Sequence, residues 1–148
     1  MGTTLKLALI GAVLMAHAAA QAQATPIGLW KTTDDDSKVE KSLIRITDQA
    51  GVLNGRIEKL LDPTVAPNAV CDKCTDERKG VALLGLTILR NLKQSADDPQ
   101  LWEGGDIVDP KNGKVYKARL KPIDGGQKLE MRGYIGPFYR TQTWLRVE

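Results

Sequence analysis

Two cysteines carry the clearest chemical possibility in the sequence. Cys71 and Cys74 lie in the segment AVCDKCTDERKG, and the chain contains no other cysteine. Two thiols at this spacing can form a local disulfide, act as a redox-active pair or supply half of a zinc site. A redox pair normally has a thiol of lowered pKa at the start of a helix, and no amphipathic helix follows here. We therefore expect a structural disulfide, with a redox pair and a metal site as alternatives.

Acidic residues near the end of one predicted strand offer a second possibility. Asp106 and Asp109 lie in the segment WEGGDIVDPKNG, with Glu103 close by. Paired carboxylates can catalyse hydrolysis by acid–base chemistry. Asp109, however, begins an Asp-Pro turn, where an aspartate usually accepts hydrogen bonds from its own backbone. We therefore interpret Asp109 as a turn residue and predict no catalytic residue.

Arginines and aromatic residues form the third group, most of it in the C-terminal part of the chain. Arginines that point into a barrel could bind an acidic or polar ligand through paired hydrogen bonds. The interpretation that we favour is that most of them face water and a few pack on tryptophans, which is the usual fate of long cationic side chains. The candidate ligand-binding residues are Trp30, Arg119, Arg132, Tyr134, Arg140 and Trp144.

The first 24 residues have the pattern of a cleaved signal peptide. Lys6 provides a positive charge, residues 7–16 are an apolar run of ten, and small residues with Ala-x-Ala sites follow as far as Ala24. This order is typical of export signals, and a membrane-spanning helix would need about 20 apolar residues. We expect an exported protein, periplasmic or secreted, whose mature chain is a single domain at 25–148 without a membrane span. Thiols are normally oxidised in that compartment, which favours the disulfide.

Removal of residues 1–24 limits the chemistry that is available. Those residues contain one lysine and the single histidine, so 20 of the 21 basic residues remain against 18 acidic ones, a net charge of +2. Without histidine, the mature chain cannot contain Ser-His or Cys-His nucleophilic pairs or imidazole metal sites. No block of five like charges occurs, and this pattern does not suggest a nucleic-acid binder. We expect no metal ion, no cofactor and no nucleic-acid partner.

The rest of the chain contains eight candidate strands, most of them bounded by turn residues. Short connections such as Asp109–Gly113 suit hairpins, and they cannot hold the crossovers that parallel strands need. We predict a mostly β protein, a small antiparallel up-and-down barrel, because closure hides the two edges of such a sheet. The predicted strands are 26–32, 41–48, 51–60, 82–91, 100–108, 113–121, 127–135 and 138–147.

Two segments are less regular than the others. Residues 82–91 have leucine and isoleucine at four-residue spacing, which leaves a helix as the alternative to a strand. Residues 61–81 form the longest stretch without periodicity and contain both cysteines. A loop of this length in a compact domain is usually functional or tied down, so we expect the disulfide to fasten it.

Several motifs follow one another in a fixed order along the chain. They are GLWKT at 28–32, CDKC-TDERK at 71–79, GL-x-IL at 85–89, the segment from Trp102 to Tyr116, RGYIG at 132–136 and QTW-x-R at 142–146. With this order and spacing, the chain resembles the exported bacterial family called Domain of Unknown Function 2147. The resemblance implies a small, mostly β, exported protein, and it implies no reaction.

The string Gly28-Leu29-Trp30 gives a further similarity, at the level of fold, to the lipocalin-like barrels. Those barrels have Gly-x-Trp on the first strand and an arginine on the last strand that packs over the tryptophan. The similarity implies a clamp between Trp30 and Arg146, or alternatively Arg140. A cation over an indole ring stabilises by about 0.5–2 kcal/mol, depending on its exposure to solvent.

Together these features favour a non-catalytic, exported barrel that binds a small ligand or a cell-envelope partner at one mouth, near the 61–81 loop. One alternative is an envelope enzyme, either a thiol–disulfide protein that uses Cys71 and Cys74 or a hydrolase that uses Asp106 and Asp109. Another alternative is a scaffolding component of an envelope assembly, in which side chains simply fill the barrel.

Overall fold

Eight antiparallel strands make up almost all of the regular structure. The computed structural model describes Gly2 and residues 24–148, so most of the predicted signal peptide lies outside the described residues and stays a prediction. Among the described residues, no helix has the length and apolar character needed to cross a membrane. The elements are β1 (Gly28–Thr33), β2 (Glu40–Gln49), β3 (Val52–Leu60), β4 (Thr87–Gln94), β5 (Trp102–Val108), β6 (Val115–Ile123), a 3-10 turn (Asp124–Gly126), β7 (Lys128–Ile135) and β8 (Phe138–Arg146).

Each strand pairs with the next one in the chain, and the last strand returns to the first. The closing ladder pairs Trp30 with Arg146 and Lys31 with Leu145. The sheet is therefore a closed barrel whose strands follow one another in sequence order. The prediction of a mostly β, antiparallel up-and-down barrel is confirmed. Closure pairs both edges of the sheet, which would otherwise be open to pairing with other chains.

The strands form where apolar and polar residues alternate. In β6, Ala118 and Leu120 are buried, whereas Lys117 and Arg119 are exposed to solvent. Successive side chains of a strand point to opposite faces. One set of side chains therefore enters the barrel and the other set covers its outer wall.

The strand predicted at 82–91 exists, but it begins at Thr87 rather than at residue 82. The helical alternative for this segment is wrong. An extra residue in β4 relative to β3, at Asn91 with φ of 61°, lets Leu89 and Leu92 both point into the barrel. Such a bulge shifts the period of two that a regular strand would show.

Apolar side chains fill the half of the barrel that lies near residues 25 and 148. Burying a leucine or isoleucine side chain completely contributes about 1.5–3 kcal/mol to folding. The buried residues in this half come from seven strands, β1 to β7, and the largest are Trp30, Ile44, Ile46, Leu53, Leu89, Leu92, Trp102, Leu120 and Leu129.

Arg146 closes this end of the barrel. Its guanidinium carbon lies 4.2 Å from the centre of the Trp30 ring, and Trp30 Nε1 donates a hydrogen bond to the Pro26 carbonyl oxygen at 2.7 Å. The geometry is that of the expected Trp30–Arg146 clamp, whereas Arg140, the alternative partner, lies at the other end of β8. The guanidinium also donates hydrogen bonds to four carbonyl oxygens, those of Thr25, Ile27, Gly126 and Glu148.

Gly28 allows the chain to pass close to this cluster. It has φ of 140°, and a Cβ atom there would lie 2.4 Å from the Glu148 carbonyl oxygen and 2.6 Å from Arg146 Nη1. Any side chain at this position would displace the final residues of the chain. Glycine is also the residue that adopts this positive φ readily. The glycine of Gly-x-Trp is thus required by its contact with the end of β8.

Residues 61–86, which we call the disulfide loop, connect β3 to β4. Cys71 and Cys74 form a disulfide, as predicted, and both are fully buried. Cys71 N donates to the Val81 carbonyl oxygen at 2.8 Å, and Leu83 N donates to the Ala69 carbonyl oxygen at 2.9 Å. These bonds make the middle of the loop a compact turn instead of an open excursion.

The disulfide loop packs on the turn between β5 and β6. Gly113 has φ of 73°, and a Cβ atom there would lie 1.8 Å from the Lys73 carbonyl oxygen. Asp109 holds the turn from inside, because its Oδ1 accepts a hydrogen bond from Lys111 N at 2.9 Å and its carbonyl oxygen accepts one from Gly113 N at 2.7 Å. The loop and the turn therefore form one wall of the barrel mouth.

Candidate functional site: a cavity in the barrel mouth

The half of the barrel opposite the Trp30–Arg146 clamp is not filled. It contains a cavity of about 490 Å³ that opens to solvent at the barrel mouth. The mouth is formed by the β1–β2 connection at 34–39, the disulfide loop, the turn at 109–114 and the first residues of β8. Small-molecule sites are commonly clefts of about 300–1,000 Å³, so the space suits a small organic molecule.

Apolar side chains line the deep part of the cavity. They are the inward-facing residues of five different strands, and each is at most 7% exposed. Their positions follow from strand alternation, which points every second residue inwards. These residues are Ile57, Ile88, Ile107, Met131 and Trp144.

Polar groups lie at two depths above this apolar base. Thr32 Oγ1 and Ser42 Oγ are 3.0 Å apart in a hydrogen bond on adjacent strands, and both residues are buried. Trp144 Nε1 donates to Gln142 Oε1 at 3.2 Å. Gln142 Nε2 in turn donates to Asp35 Oδ2 at 3.1 Å. A chain of hydrogen bonds therefore leads from the indole in the cavity wall to the charged rim.

Ion pairs surround the opening. Arg140 Nε lies 2.8 Å from Asp35 Oδ2, which joins the start of β8 to the β1–β2 connection. Lys111 Nζ lies 3.6 Å from Asp34 Oδ2, and this pair joins the same connection to the β5–β6 turn. Two ion pairs thus join the β1–β2 connection to the β5–β6 turn and to the start of β8 across the rim.

The rim carboxylates keep their charge well into the acidic range. Hydrogen bonds from the backbone and hydroxyl of Ser37 hold the pKa of Asp34 well below its usual range. Hydrogen bonds from the hydroxyl and backbone N–H of Thr64, together with Lys41, lower the pKa of Asp62 to about 2. Hydrogen bonds to a charged form stabilise that form, so both groups are ionised at neutral pH.

Two of the six candidate ligand-binding residues line the cavity. Arg140 stands at its rim and Trp144 in its wall. Trp30 also points inwards, but it is completely buried in the closed end beneath the guanidinium of Arg146. It is a structural residue there and has no surface for a ligand.

The other three candidates lie on the outer wall. Arg119, Arg132 and Tyr134 occupy outward positions of β6 and β7, between inward residues such as Ala118 and Met131. They do not line the cavity, because strand alternation gives them the opposite face. The prediction selected arginines and aromatic residues that lie near one another in the sequence. That criterion does not distinguish the inward face of a strand from its outward face.

Sequence reasoning missed several residues of the cavity, among them Asp35 and Gln142. The sequence could have predicted Gln142, because strand alternation places it on the same face of β8 as Arg140 and Trp144. The sequence could not have predicted Asp35, because the connection that carries it has no periodicity and contacts β8 only through the closure of the barrel.

The enzymatic alternatives receive no geometric support. Arg90 Nε lies 3.1 Å from Asp106 Oδ1 on the outer face, whereas Asp109 is engaged in its own turn. Both cysteines are buried in a disulfide, and a redox-active sulfur needs to be accessible. Within residues 24–148, no three Cys, Asp or Glu side chains are arranged to hold a metal ion.

Comparison with known proteins agrees with this architecture. A family model described as an uncharacterized protein conserved in bacteria, DUF2147, matches residues 28–146. The chain belongs to the DUF2147 family. The predicted resemblance is therefore confirmed, and a search of curated proteins found no match.

A solved structure similar to this DUF2147 protein is described as "Protein HP1028 from the human pathogen Helicobacter pylori belongs to the lipocalin family". The two chains are 18% identical, the alignment covers 84% of each, and the TM-score is 0.71. At this identity the comparison shows a shared fold. The expected lipocalin-like character of the barrel is confirmed at that level.

Proposed function

We propose that this DUF2147 protein is exported and binds a small amphiphilic molecule in its barrel cavity, without transforming it. The observation that carries the proposal is the cavity of about 490 Å³ in a barrel whose other half is filled by side chains. A barrel that served only as a scaffold would gain stability from close packing throughout. Eight-stranded barrels, lipocalins among them, have room for one small ligand.

The lining indicates the class of ligand. An apolar group would lie against Ile57, Ile88 and Met131 at the base, where each buried CH₂ contributes about 0.8 kcal/mol to binding. A polar group would remain near the rim, where Arg140 and Gln142 offer hydrogen-bond donors. This order of apolar depth and polar opening favours an amphiphile over a sugar or a nucleotide.

Export is supported by the sequence pattern of residues 1–24 and by the disulfide. Signal peptides have this order of charge, apolar run and small residues. Disulfides persist in oxidising compartments and are rare in the cytosol. The proposed location is therefore the periplasm or the medium.

A binding experiment with a blocked cavity tests the proposal. Native mass spectrometry of protein purified from the periplasmic fraction is expected to show a bound small molecule. Titration with the fluorescent amphiphile 1-anilinonaphthalene-8-sulfonate should show saturable binding, and Met131→Trp should weaken it about tenfold or more by filling the space. A tenfold loss corresponds to about 1.4 kcal/mol.

The matched control introduces the same side chain on the outer wall. Thr143 faces solvent on β8, so Thr143→Trp should bind the probe as the unaltered protein does. Equal probe affinity for Met131→Trp, with an unchanged melting temperature, would place the probe outside the barrel and contradict the proposal.

A further inference from the structure

The hairpin that joins β7 and β8 ends in an apolar tip, residues 134–139, with the sequence YIGPFY. Ile135 pairs with Phe138 across the Gly136-Pro137 turn. Phe138 is 78% exposed, Tyr139 is 60% exposed and Ile135 is 48% exposed. No other large apolar side chain among residues 24–148 is as exposed as Phe138 or Tyr139.

Both faces of the tip are apolar. Ile135 and Phe138 continue the inward-facing rows of β7 and β8 beyond the level of the cavity, so they stand over the edge of the mouth. Tyr134 and Tyr139 occupy the outer face, with ring centres 5.6 Å apart. The tip is thus a projection with apolar side chains around it, unlike a flat patch on the wall.

Cations stand directly behind the tip. Arg119 lies over the Tyr134 ring at 5.4 Å, and Arg132 lies over the Tyr139 ring at 4.5 Å. The stretches 113–119 and 131–141 contain no carboxylate and five cations, which are Lys114, Lys117, Arg119, Arg132 and Arg140.

Carboxylates from other parts of the chain pair with three of these cations. Arg140 pairs with Asp35 and, at 4.0 Å, with Asp36, whereas Arg119 pairs with Glu103 and Arg132 with Glu130. Lys114 and Lys117 have no ion pair within residues 24–148. The surface behind the tip therefore keeps a positive excess.

We propose that the 134–139 tip inserts into the surface of an anionic lipid membrane and sets the cavity mouth against it. The order of side chains away from the tip is apolar, then tyrosine, then arginine and lysine. Proteins use that order at membrane interfaces, where tyrosines lie at the level of the headgroups and cations meet anionic lipids. The proposal does not depend on the cavity having a ligand.

A lipid surface fits the tip better than a second protein does. A stable protein interface takes about 20–30 residues from each side and about 800 Å² per partner. The tip has six residues and a convex shape, which a bilayer accommodates and a globular surface of ordinary size does not. A second copy of the chain is the outcome that the experiment must distinguish.

Sedimentation with vesicles tests the insertion. The protein is expected to sediment with vesicles of phosphatidylglycerol and phosphatidylethanolamine, and more weakly with phosphatidylcholine alone or at high salt. The double substitution Ile135→Ser with Phe138→Ser should reduce sedimentation about tenfold or more, since it removes two apolar side chains from the bilayer. Val147, 48% exposed at the opposite end, gives the matched control Val147→Ser, which should sediment normally.

A second readout reports directly on the tip. The three native tryptophans are at most 7% exposed, so Phe138→Trp adds the one exposed indole among the described residues. Its emission should shift to shorter wavelength when anionic vesicles are added. An unshifted emission, or equal sedimentation of the double variant, would overturn the proposal. Loss of a dimer in the double variant, without vesicle binding by the unaltered protein, would assign the tip to self-association instead.

Separate variants test ligand binding in the cavity and membrane insertion of the tip, so either proposal can be contradicted without the other. Met131→Trp changes the cavity and leaves the tip intact, so it should sediment with vesicles as the unaltered protein does. The double tip variant should conversely bind 1-anilinonaphthalene-8-sulfonate in solution with unchanged affinity.

Discussion

Arg146 shows how much a single side chain can do in this barrel. Its planar guanidinium covers the Trp30 ring and reaches four carbonyl oxygens from three separate parts of the chain. A guanidinium offers five donors in a fixed plane, whereas an ammonium group is a compact point charge. The carbonyl oxygens at the closed end therefore depend on arginine specifically.

Arg146→Lys should lower the free energy of unfolding by about 2 kcal/mol, because the carbonyl oxygens at the closed end, two of them in partly buried hydrogen bonds, lose their donors. Urea unfolding followed by tryptophan fluorescence measures this change. Arg119→Lys is the control, since Arg119 also lies over an aromatic ring but is half exposed on the outer wall. That substitution should stay within about 0.5 kcal/mol, and equal losses in the two variants would contradict the assigned role of Arg146.

The elements of the fold were largely predictable, and the interior was less so. All eight strands were expected because apolar and polar residues alternate between turn residues. The start of β4 was misplaced because residues 82–86 are as apolar as a buried strand, although they belong to the disulfide loop. Alternation on β8 would have placed Gln142 in the cavity, whereas the contact of Asp35 with β8 arises only from barrel closure.

The barrel holds the disulfide loop in place, and the barrel itself does not depend on the disulfide to fold. Cys71→Ser with Cys74→Ser should keep the far-ultraviolet circular dichroism of the barrel and lower stability by about 2 kcal/mol at most, which is the chain-entropy value for so short a loop. A thermal melt measures the difference. Reductant should produce the same shift in the unaltered protein and none in the double variant, and loss of the barrel in that variant would be contrary to expectation.

At the scale of the whole molecule, acid should loosen the mouth before it unfolds the closed end. The Arg78 side chain and backbone N–H lower the pKa of Asp76 to about 2, and Thr64 and Lys41 do the same for Asp62. Both aspartates lie in the disulfide loop. Their folded pKa values are below the usual 3.8, so the stability they contribute is present above about pH 4 and is lost as the pH falls towards 2.

Urea unfolding at a series of pH values from neutral to acidic measures this loss. The urea concentration at the midpoint of unfolding should decrease once the pH is below about 4, since the unfolded chain then binds more protons than the folded one. Asp62→Asn should be less stable at neutral pH and should lose less stability on acidification. If Asp62→Asn lost as much stability on acidification as the unaltered protein does, Asp62 would not be a source of the acid sensitivity.

The cluster around Arg146 also fixes where the chain can be attached to something else. Thr25 and Glu148 both contact that guanidinium, so residues 25 and 148 lie side by side, at the end away from the mouth and the hairpin tip. An immobilising tether or a fused reporter joined at either residue would leave the opening free. Such a tether would present the barrel mouth-outward, the orientation in which it would meet a supported bilayer.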